Sequence, residues 1–399
     1  MKKIKRRDFV FMMGTAPMAW GSRHLGKEPG SPAPQKKTVK TFDPWLEIDT
    51  ANLTWNIAQV RKRVEGRPIM AVVKCNAYGH GLVETAQHMA GNGIGRFAVV
   101  KVHEAAALRE NGIKGEILNF GPYSETEAET LVNLGISQSV FTGSVRYLSD
   151  ASRSLNKKAR IHIKVDTGLG RVGVPHEKAL DYIEKTAALP GITIEGIFTT
   201  LTEETDFDRI QVERLCRIAA VAKKMGVSTG LRHAASSLPL ANYPGSFLDM
   251  VRPGNALYGL EPLANMDLRP VMSFKTRVIL IKKMSPGQTL SYHGRYKIHK
   301  DMLLATLPLG YSDGYPFQAV NKAEVLIRGK RFSLIADMSA NHSYADISGY
   351  PDIGIGDEVV LFGEQNGQKI TLDEVAKWGE SSVYKVPILM NPLLQRFYH

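Results

Sequence analysis

The sequence predicts an α/β chain: a (β/α)8 TIM-like barrel followed by a mostly β C-terminal domain. Three observations carry this. From Trp45 to about residue 260, short apolar runs alternate with segments of helical periodicity. The count of such runs approaches eight, which favours a closed barrel over an open doubly wound sheet. After about residue 270 the runs become short, β-rich and separated by Gly, Pro and Asp turns. The implied partition is a leader and linker over 1–41, a barrel over 42–270 and a β domain over 271–399.

The leader, "MKKIKRRDFVFMMGTAPMAWGS", has a basic start, the pair Arg6-Arg7, an apolar stretch and then small residues. It reads as a twin-arginine export signal, with a periplasmic destination; the other reading is a basic tail on a cytoplasmic protein. No clean cleavage site fixes whether it is removed. Residues 1–40 hold ten Lys/Arg and two acids, so +8 of the chain's +12 sits there and +4 is left for the rest. With no basic tract interleaved with aromatics, nucleic-acid binding is not expected. No apolar run is long enough to span a bilayer, so no integral membrane segment is expected. The only cysteines, Cys75 and Cys216, exclude a disulfide framework and a Cys-based zinc cluster, and no metal is expected.

The barrel strands are read as "IMAVVK" (69–74), "RFAVV" (96–100), "GEILNF" (115–120), "SQSVF" (137–141), "ARIHIKVD" (159–166) and "IEGIFT" (194–199), with further strand-like segments near 231–235 and 249–252. Helical patterns such as "LVETAQHMAGNG" and "DRIQVERLCRIAAVAKKMG" lie between them, several closing on glycine. No G-x-G-x-x-G follows an early strand, which argues against a dinucleotide fold. In the C-terminal part, "AEVLIRGKRFSLIADM" and "DEVVLFG" read as strands, and helical signal is nearly confined to "LDEVAKWG".

The chemistry starts at Lys74, which closes the first of those runs. Strand ends at the C-terminal face of a barrel point to its active site, and partial desolvation there favours the free amine that forms a Schiff base. A lysine snorkelling to the surface is the competing reading.

The surrounding "VVKCNAYGHG" resembles the cofactor-lysine motif of the alanine racemase family of pyridoxal 5'-phosphate (PLP) enzymes, and ordered matches follow to the C-terminus. The resemblance implies that Lys74 binds PLP and acts as one catalytic base, with Tyr78 also at the cofactor. "KVDTGLGRVG" implies Arg171 at the cofactor phenolate and the substrate carboxylate, with Lys164 at a position that is sometimes carbamylated. "HAASS" implies Ser237 at the phosphate. "VRPGNALYG" implies Arg252 on the pyridine nitrogen and Gly254 near the phosphate. "LSYHGRY" implies Tyr292 as the second base, supplied by the partner of a homodimer. "LPLGYSDGYP" implies Tyr311 at the substrate entrance, Tyr384 falls on a phosphate-binding tyrosine, and the closing "LLQRFY" resembles the family's ending. A guanidinium at Arg252 would leave the ring nitrogen bare and suppress transamination, and racemisation requires proton transfer on both faces of one carbon, hence two bases.

Several positions depart from the family pattern. Thr200 stands in place of a histidine that braces the pyridine-side arginine. Ala340 and Asn341 stand where a Met-Asp pair shapes the substrate site. His293, Asn255 and Lys385 replace a glycine, an aliphatic residue and a glutamate. The expected activity is interconversion of L- and D-alanine. A broad-specificity exported racemase is the alternative, because Ala340 opens volume, and a PLP-binding paralogue without turnover is a further one. A PLP homeostasis protein would lack the β domain and Tyr292. A barrel decarboxylase would place an acid at the ring nitrogen.

Overall fold

The structure, a computed structural model, describes residues 41–399. The expected export signal and the linker up to residue 40 lie outside them. Twenty strands and twelve helices follow in order: β1 (Trp45–Ile48), α1 (Thr50–Arg63), β2 (Met70–Val72), α2 (Lys74–Tyr78), α3 (Leu82–Gly91), β3 (Arg96–Val99), α4 (Val102–Glu110), β4 (Glu116–Asn119), α5 (Glu125–Asn133), β5 (Ser137–Val140), α6 (Val145–Leu155), β6 (Ala159–Asp166), β7 (Val174–Pro175), α7 (Ala179–Ala187), β8 (Ile192–Phe198), α8 (Thr205–Lys224), β9 (Leu231–His233), α9 (Ser237–Asn242) and α10 (Asn255–Tyr258), then β10 (Met272–Arg277), β11 (Leu280–Met284), β12 (Thr289–Leu290), β13 (Tyr296–Lys297), β14 (Met302–Leu307), β15 (Glu324–Ile327), β16 (Lys330–Ile335), β17 (Ser343–Asp346), β18 (Glu358–Gln365), β19 (Gln368–Ile370), α11 (Leu372–Trp378), α12 (Lys385–Leu389) and β20 (Gln395–Tyr398).

The first sheet runs β2-β3-β4-β5-β6-β8-β9, all parallel. Its strands are near-continuous apolar runs such as "MAV" and "RFAV" because helices cover them outside and side chains fill them inside. The eighth stave is short: Met250 bridges His233 and Val251 bridges Ile69, with Met70 N–H donating to Val251 O at 2.9 Å. The sheet therefore closes on itself, as the spacing of the runs predicts. The outer helices start where the sequence supplies caps. Asp49 accepts from Asn52 N–H at α1, and Ser124 with Glu127 forms a reciprocal capping box at α5. Each then buries one stripe, as α8 does through Val212, Leu215, Ile218 and Ala222.

The second sheet runs β11-β14-β17-β16-β15-β18-β10-β1-β20, with β19 on β18. Here the structure corrects one boundary. Residues 45–48, assigned to the barrel on sequence, form β1, which pairs antiparallel with β10 and parallel with β20. A four-residue run such as "WLEI" carries no information about a partner more than 200 residues away. The first and last of the described strands thus lie in the same sheet, and the barrel is inserted between β1 and β10. Tyr292 to Gly294 form a single 3₁₀ turn between the strands of the small β12-β13 hairpin. No helix among the described residues is long and apolar enough to cross a membrane.

Candidate functional site

A cavity of about 420 Å³ opens at the C-terminal ends of the barrel strands. Lys74, Tyr78, Ser139, Lys164, Arg171, Phe198, Thr200, Glu203, Ser237, Arg252, Gly254 and Tyr384 are among the residues that line it. Seven sequence-identified positions, spread over more than 300 residues of chain, therefore converge: Lys74, Tyr78, Arg171, Ser237, Arg252, Gly254 and Tyr384.

Lys74 is not at the end of its strand. β2 stops at Val72, and Lys74 opens a turn in which Cys75, Asn76, Ala77 and Tyr78 all have φ between 52° and 56°. This is a left-handed helical turn of non-glycine residues, a conformation costing roughly 1–2 kcal/mol per residue. Such strain persists only where the surroundings over-determine it, and they do so here. Asn76 N–H donates to Glu104 Oε1 at 3.2 Å, and Asn76 Oδ1 accepts from Leu82 N–H at 2.8 Å. The chain's last strand closes over the turn: Arg396 Nε donates to Gly79 O and Tyr398 O–H to His80 O, both at 2.8 Å. Gly79 is required because a Cβ there would stand 1.9 Å from Pro387 O.

The turn sets Tyr78 against Tyr258, with ring centroids 5.1 Å apart, and brings Lys74 Nζ to 5.8 Å from the Tyr78 ring. Burial, then the neighbouring Cys75 and Tyr384, push the Tyr78 phenol well above its ordinary value, so it stays a neutral hydroxyl suited to donating to an anion. Gly254 gives that phenol its space, since a Cβ there would lie 2.5 Å from the Tyr78 hydroxyl. Ser237 Oγ accepts from Gly254 N–H at 3.0 Å and from Ala256 N–H at 3.1 Å. Its own hydrogen is left to donate, and the Gly254 amide is already engaged.

Arg252 is buried, and its fork is held from three sides. Nη1 lies 2.8 Å from His233 Nδ1, and Nη2 donates to Thr199 O at 2.7 Å and Ala234 O at 3.0 Å. Burial pushes the guanidinium down to about 9, which still leaves it charged at neutral pH. The departure at Thr200 is thereby accounted for: the arginine is braced by His233 and two carbonyls, while Thr200 Oγ1 accepts from Lys164 Nζ. Lys164 is itself buried, and burial followed by the charges of Arg252 and Arg171 drives it well below the usual lysine range, toward the neutral amine. Phe198 lies beside both side chains, 4.7 Å from Lys164 Nζ and 5.1 Å from Arg252 Cζ, and stacks on His233 with centroids 4.8 Å apart.

Three sequence-identified residues do not join this cavity. Tyr292 and Tyr311 are 75% and 51% exposed on the β domain, and Ala340 lies beside Tyr311, with its carbonyl accepting from Ser312 Oγ at 2.7 Å. Other functional candidates escaped the sequence reading. His233 stands in the quoted "HAASS", where only the serine drew notice. Ser139 lines the cavity with a buried hydroxyl that has no hydrogen-bond partner. Glu203 sits at the rim at φ 67°, and burial pushes its carboxyl up despite the Ser236 hydrogen bond. Asn255 Nδ2 donates to Glu261 Oε1 at 3.2 Å. A histidine or serine within an inward-facing strand run was the available signal for Ser139 and His233.

Residues 48–262 match the alanine racemase N-terminal domain family, and residues 271–398 the alanine racemase C-terminal domain family. Over 366 residues the chain is 34% identical to an alanine racemase of Clostridium tetani, covering 89% of this chain and 95% of that one. Among solved structures, an alanine racemase of Clostridium difficile superposes with a TM-score of 0.86 at 29% identity, covering 90% of this chain and 97% of the other. The alanine racemase of Bacillus anthracis with bound L-Ala-P gives a TM-score of 0.83 at 26% identity, covering 91% and 96%.

Proposed function

The chain belongs to the alanine racemase family, and on that premise we propose that its cavity holds pyridoxal 5'-phosphate and an amino acid together while L- and D-alanine are interconverted. The activity is that of an isomerase. The observation that carries the cofactor reading is the donor set around one cavity of about 420 Å³, a volume within the range of small-molecule sites. Lys74 supplies an amine, Ser237 and Tyr78 supply hydroxyl donors, and the buried Ser139 hydroxyl lacks a partner. When bound, the cofactor supplies a conjugated ring that stabilises negative charge at the substrate α-carbon.

The chain's own residues do the remaining work. Lys74 Nζ would hold the cofactor covalently and would carry the α-proton on one face. Ser237, Tyr78 and Tyr384 hold the phosphate, and Gly254 keeps the space open beside them. Arg252, held charged, would donate to the ring nitrogen and keep it from being protonated. Arg171, which lines the same cavity, would meet the cofactor phenolate and the substrate carboxylate.

The opposite face needs a second base, and this is Tyr292 of a second copy in a homodimer. Its exposure supports that assignment. Tyr311 at 51%, Leu389 at 65% and Leu393 at 88% exposure add an apolar surface to be covered. They are brought together by Asn391, which bonds Asp313 O through N–H and Ser312 O through Nδ2. Ala340, small and beside Tyr311, favours acceptance of amino acids larger than alanine as a second reading. Export through the twin-arginine-like leader is likewise proposed, on Arg6-Arg7 and the apolar stretch that follows.

The test is a visible absorbance band bleached by borohydride in the purified protein, together with a panel of D- and L-amino acids. Lys74→Ala should remove the band and essentially all turnover. A band that persists at another lysine with normal activity overturns the central assignment, and PLP binding without turnover on any amino acid would identify a non-catalytic paralogue.

A further inference from the structure

Behind the cavity, a line of polar side chains crosses the barrel interior. Arg252 Nη1 lies 2.8 Å from His233 Nδ1, His233 Nε2 lies 2.9 Å from His162 Nδ1, and His162 Nε2 lies 3.1 Å from Glu116 Oε1. Arg96 Nε closes the line by donating to Glu116 Oε2 at 2.9 Å. Both imidazoles are fully buried. Gly196 on β8 makes their room: a Cβ there would stand 2.2 Å from His162 Nδ1.

The two ends fix the direction of every bond between them. A guanidinium only donates and an ionised carboxylate only accepts. His233 Nδ1 must therefore accept from Arg252, which places the His233 proton on Nε2. That proton points to His162 Nδ1, so the His162 proton is on Nε2 and is donated to Glu116. Each imidazole carries one proton and is neutral. The charge environment agrees. Burial, then the cation at Arg252, drive His233 well below the usual histidine range. Burial alone would raise the Glu116 carboxyl, but the hydrogen bonds from His162 and Arg96 and the charge of Arg96 outweigh it and hold it below its ordinary value.

The same region could be read as a metal site, since Glu116, His162 and Glu195 bring ligand atoms within 4.8 Å of one another. Their lone pairs are engaged, however. Glu116 holds Arg96, while Glu195 accepts from Ser137 Oγ at 2.9 Å and lies 3.8 Å from Arg160 Nε. A cation would have to displace two arginines.

We infer that Glu116 and His162 are positioning residues that act through His233: they lock it as an acceptor toward Arg252, so that the guanidinium presents its Nε–H and one Nη1–H to the cavity. The last step, presentation to the cofactor ring nitrogen, rests on the function proposed above; the polarity of the line does not.

Nitrogen-15 spectra of the histidine side chains in the cofactor-free protein at neutral pH test the polarity directly, with signals assigned through His162→Gln and His233→Gln. Both imidazoles should be single neutral forms with the proton on Nε2. In Glu116→Gln the amide can donate as well as accept, so the line loses its fixed direction. His162 should then show a second population with its proton on Nδ1. With cofactor loaded, the same variant should transaminate more per racemisation event. A proton on Nδ1 of either histidine in the wild-type chain, or two protons on either ring, overturns the inference. Glu116→Gln leaving both the spectra and the reaction ratio unchanged overturns it equally. Failure of the cofactor reading would show separately, as absence of the borohydride-sensitive band in the wild-type chain.

Discussion

Two inactive variants should restore one another when their subunits are exchanged. Tyr292→Phe removes a hydroxyl that has no hydrogen-bond partner among the described residues, on a side chain that is 75% exposed and absent from its own chain's cavity. Folding and cofactor binding should survive, and the lost base should cost about 10²–10⁴-fold in rate. Lys74→Ala should be inactive for the independent reason that it lacks the cofactor amine. In a mixed two-fold dimer, one site inherits both lesions and the other inherits neither. Random exchange at equal concentrations makes roughly half of the dimers mixed, so about a quarter of all sites should regain both bases. The assay follows D-alanine formed from L-alanine before and after mixing, with exchange verified by mass spectrometry of differently labelled subunits. Recovery near a quarter of wild-type activity supports the shared site. No recovery, although mixed dimers are present, would mean that Tyr292 acts in its own subunit or not at all.

Arg252→Glu should protonate the ring nitrogen and raise transamination relative to racemisation; an unchanged ratio in a folded variant that retains cofactor removes Arg252 from that role. Gly196→Ala drives a methyl group to 2.2 Å from His162 Nδ1. Displacing that ring should cost about 1–3 kcal/mol for each buried nitrogen left unpaired, read as a lower urea midpoint, and an unchanged midpoint contradicts the packing. Lys164→Met should stabilise the fold, with an advantage that falls as pH rises toward the ordinary lysine value. Lys164 is driven well below its ordinary 10.5 in the folded state, so between the two values the unfolded chain binds more protons, and wild-type stability rises with pH. The variant's advantage should shrink as pH approaches 10.5, the ordinary lysine value, and a constant difference refutes the assignment.

The barrel was legible because its strands are apolar runs with helices between them, and the observed β3, β4, β5 and β6 lie within a residue or two of the runs read from sequence. The cavity was legible where a motif carried a rare chemistry, as at Lys74 and Arg252. Partner choice was not legible. The run "WLEI" looks like any buried strand, and only folding reveals that β10 and β20 flank it. The left-handed turn was hidden as well, since that conformation is normally announced by glycine or asparagine and only Asn76 and Gly79 gave any sign. Polar residues inside the barrel, such as His162 and Glu116, were passed over because a strand pattern records that a position faces inward, not what it meets there.

The left-handed turn at residues 75–78 also sets a sequence of events. For L-residues each of its dihedrals is uphill, so the segment cannot take its final shape on local preference and waits for contacts that outweigh the strain. Two of those contacts come from Arg396 and Tyr398 on β20, more than 300 residues further along the chain. The same final strand is what completes the flank of β1. The amine at Lys74 is therefore aimed into its cavity only once β20 has docked. A chain that lacks β20 has the lysine but not its orientation, and the cavity is completed only with that long-range docking.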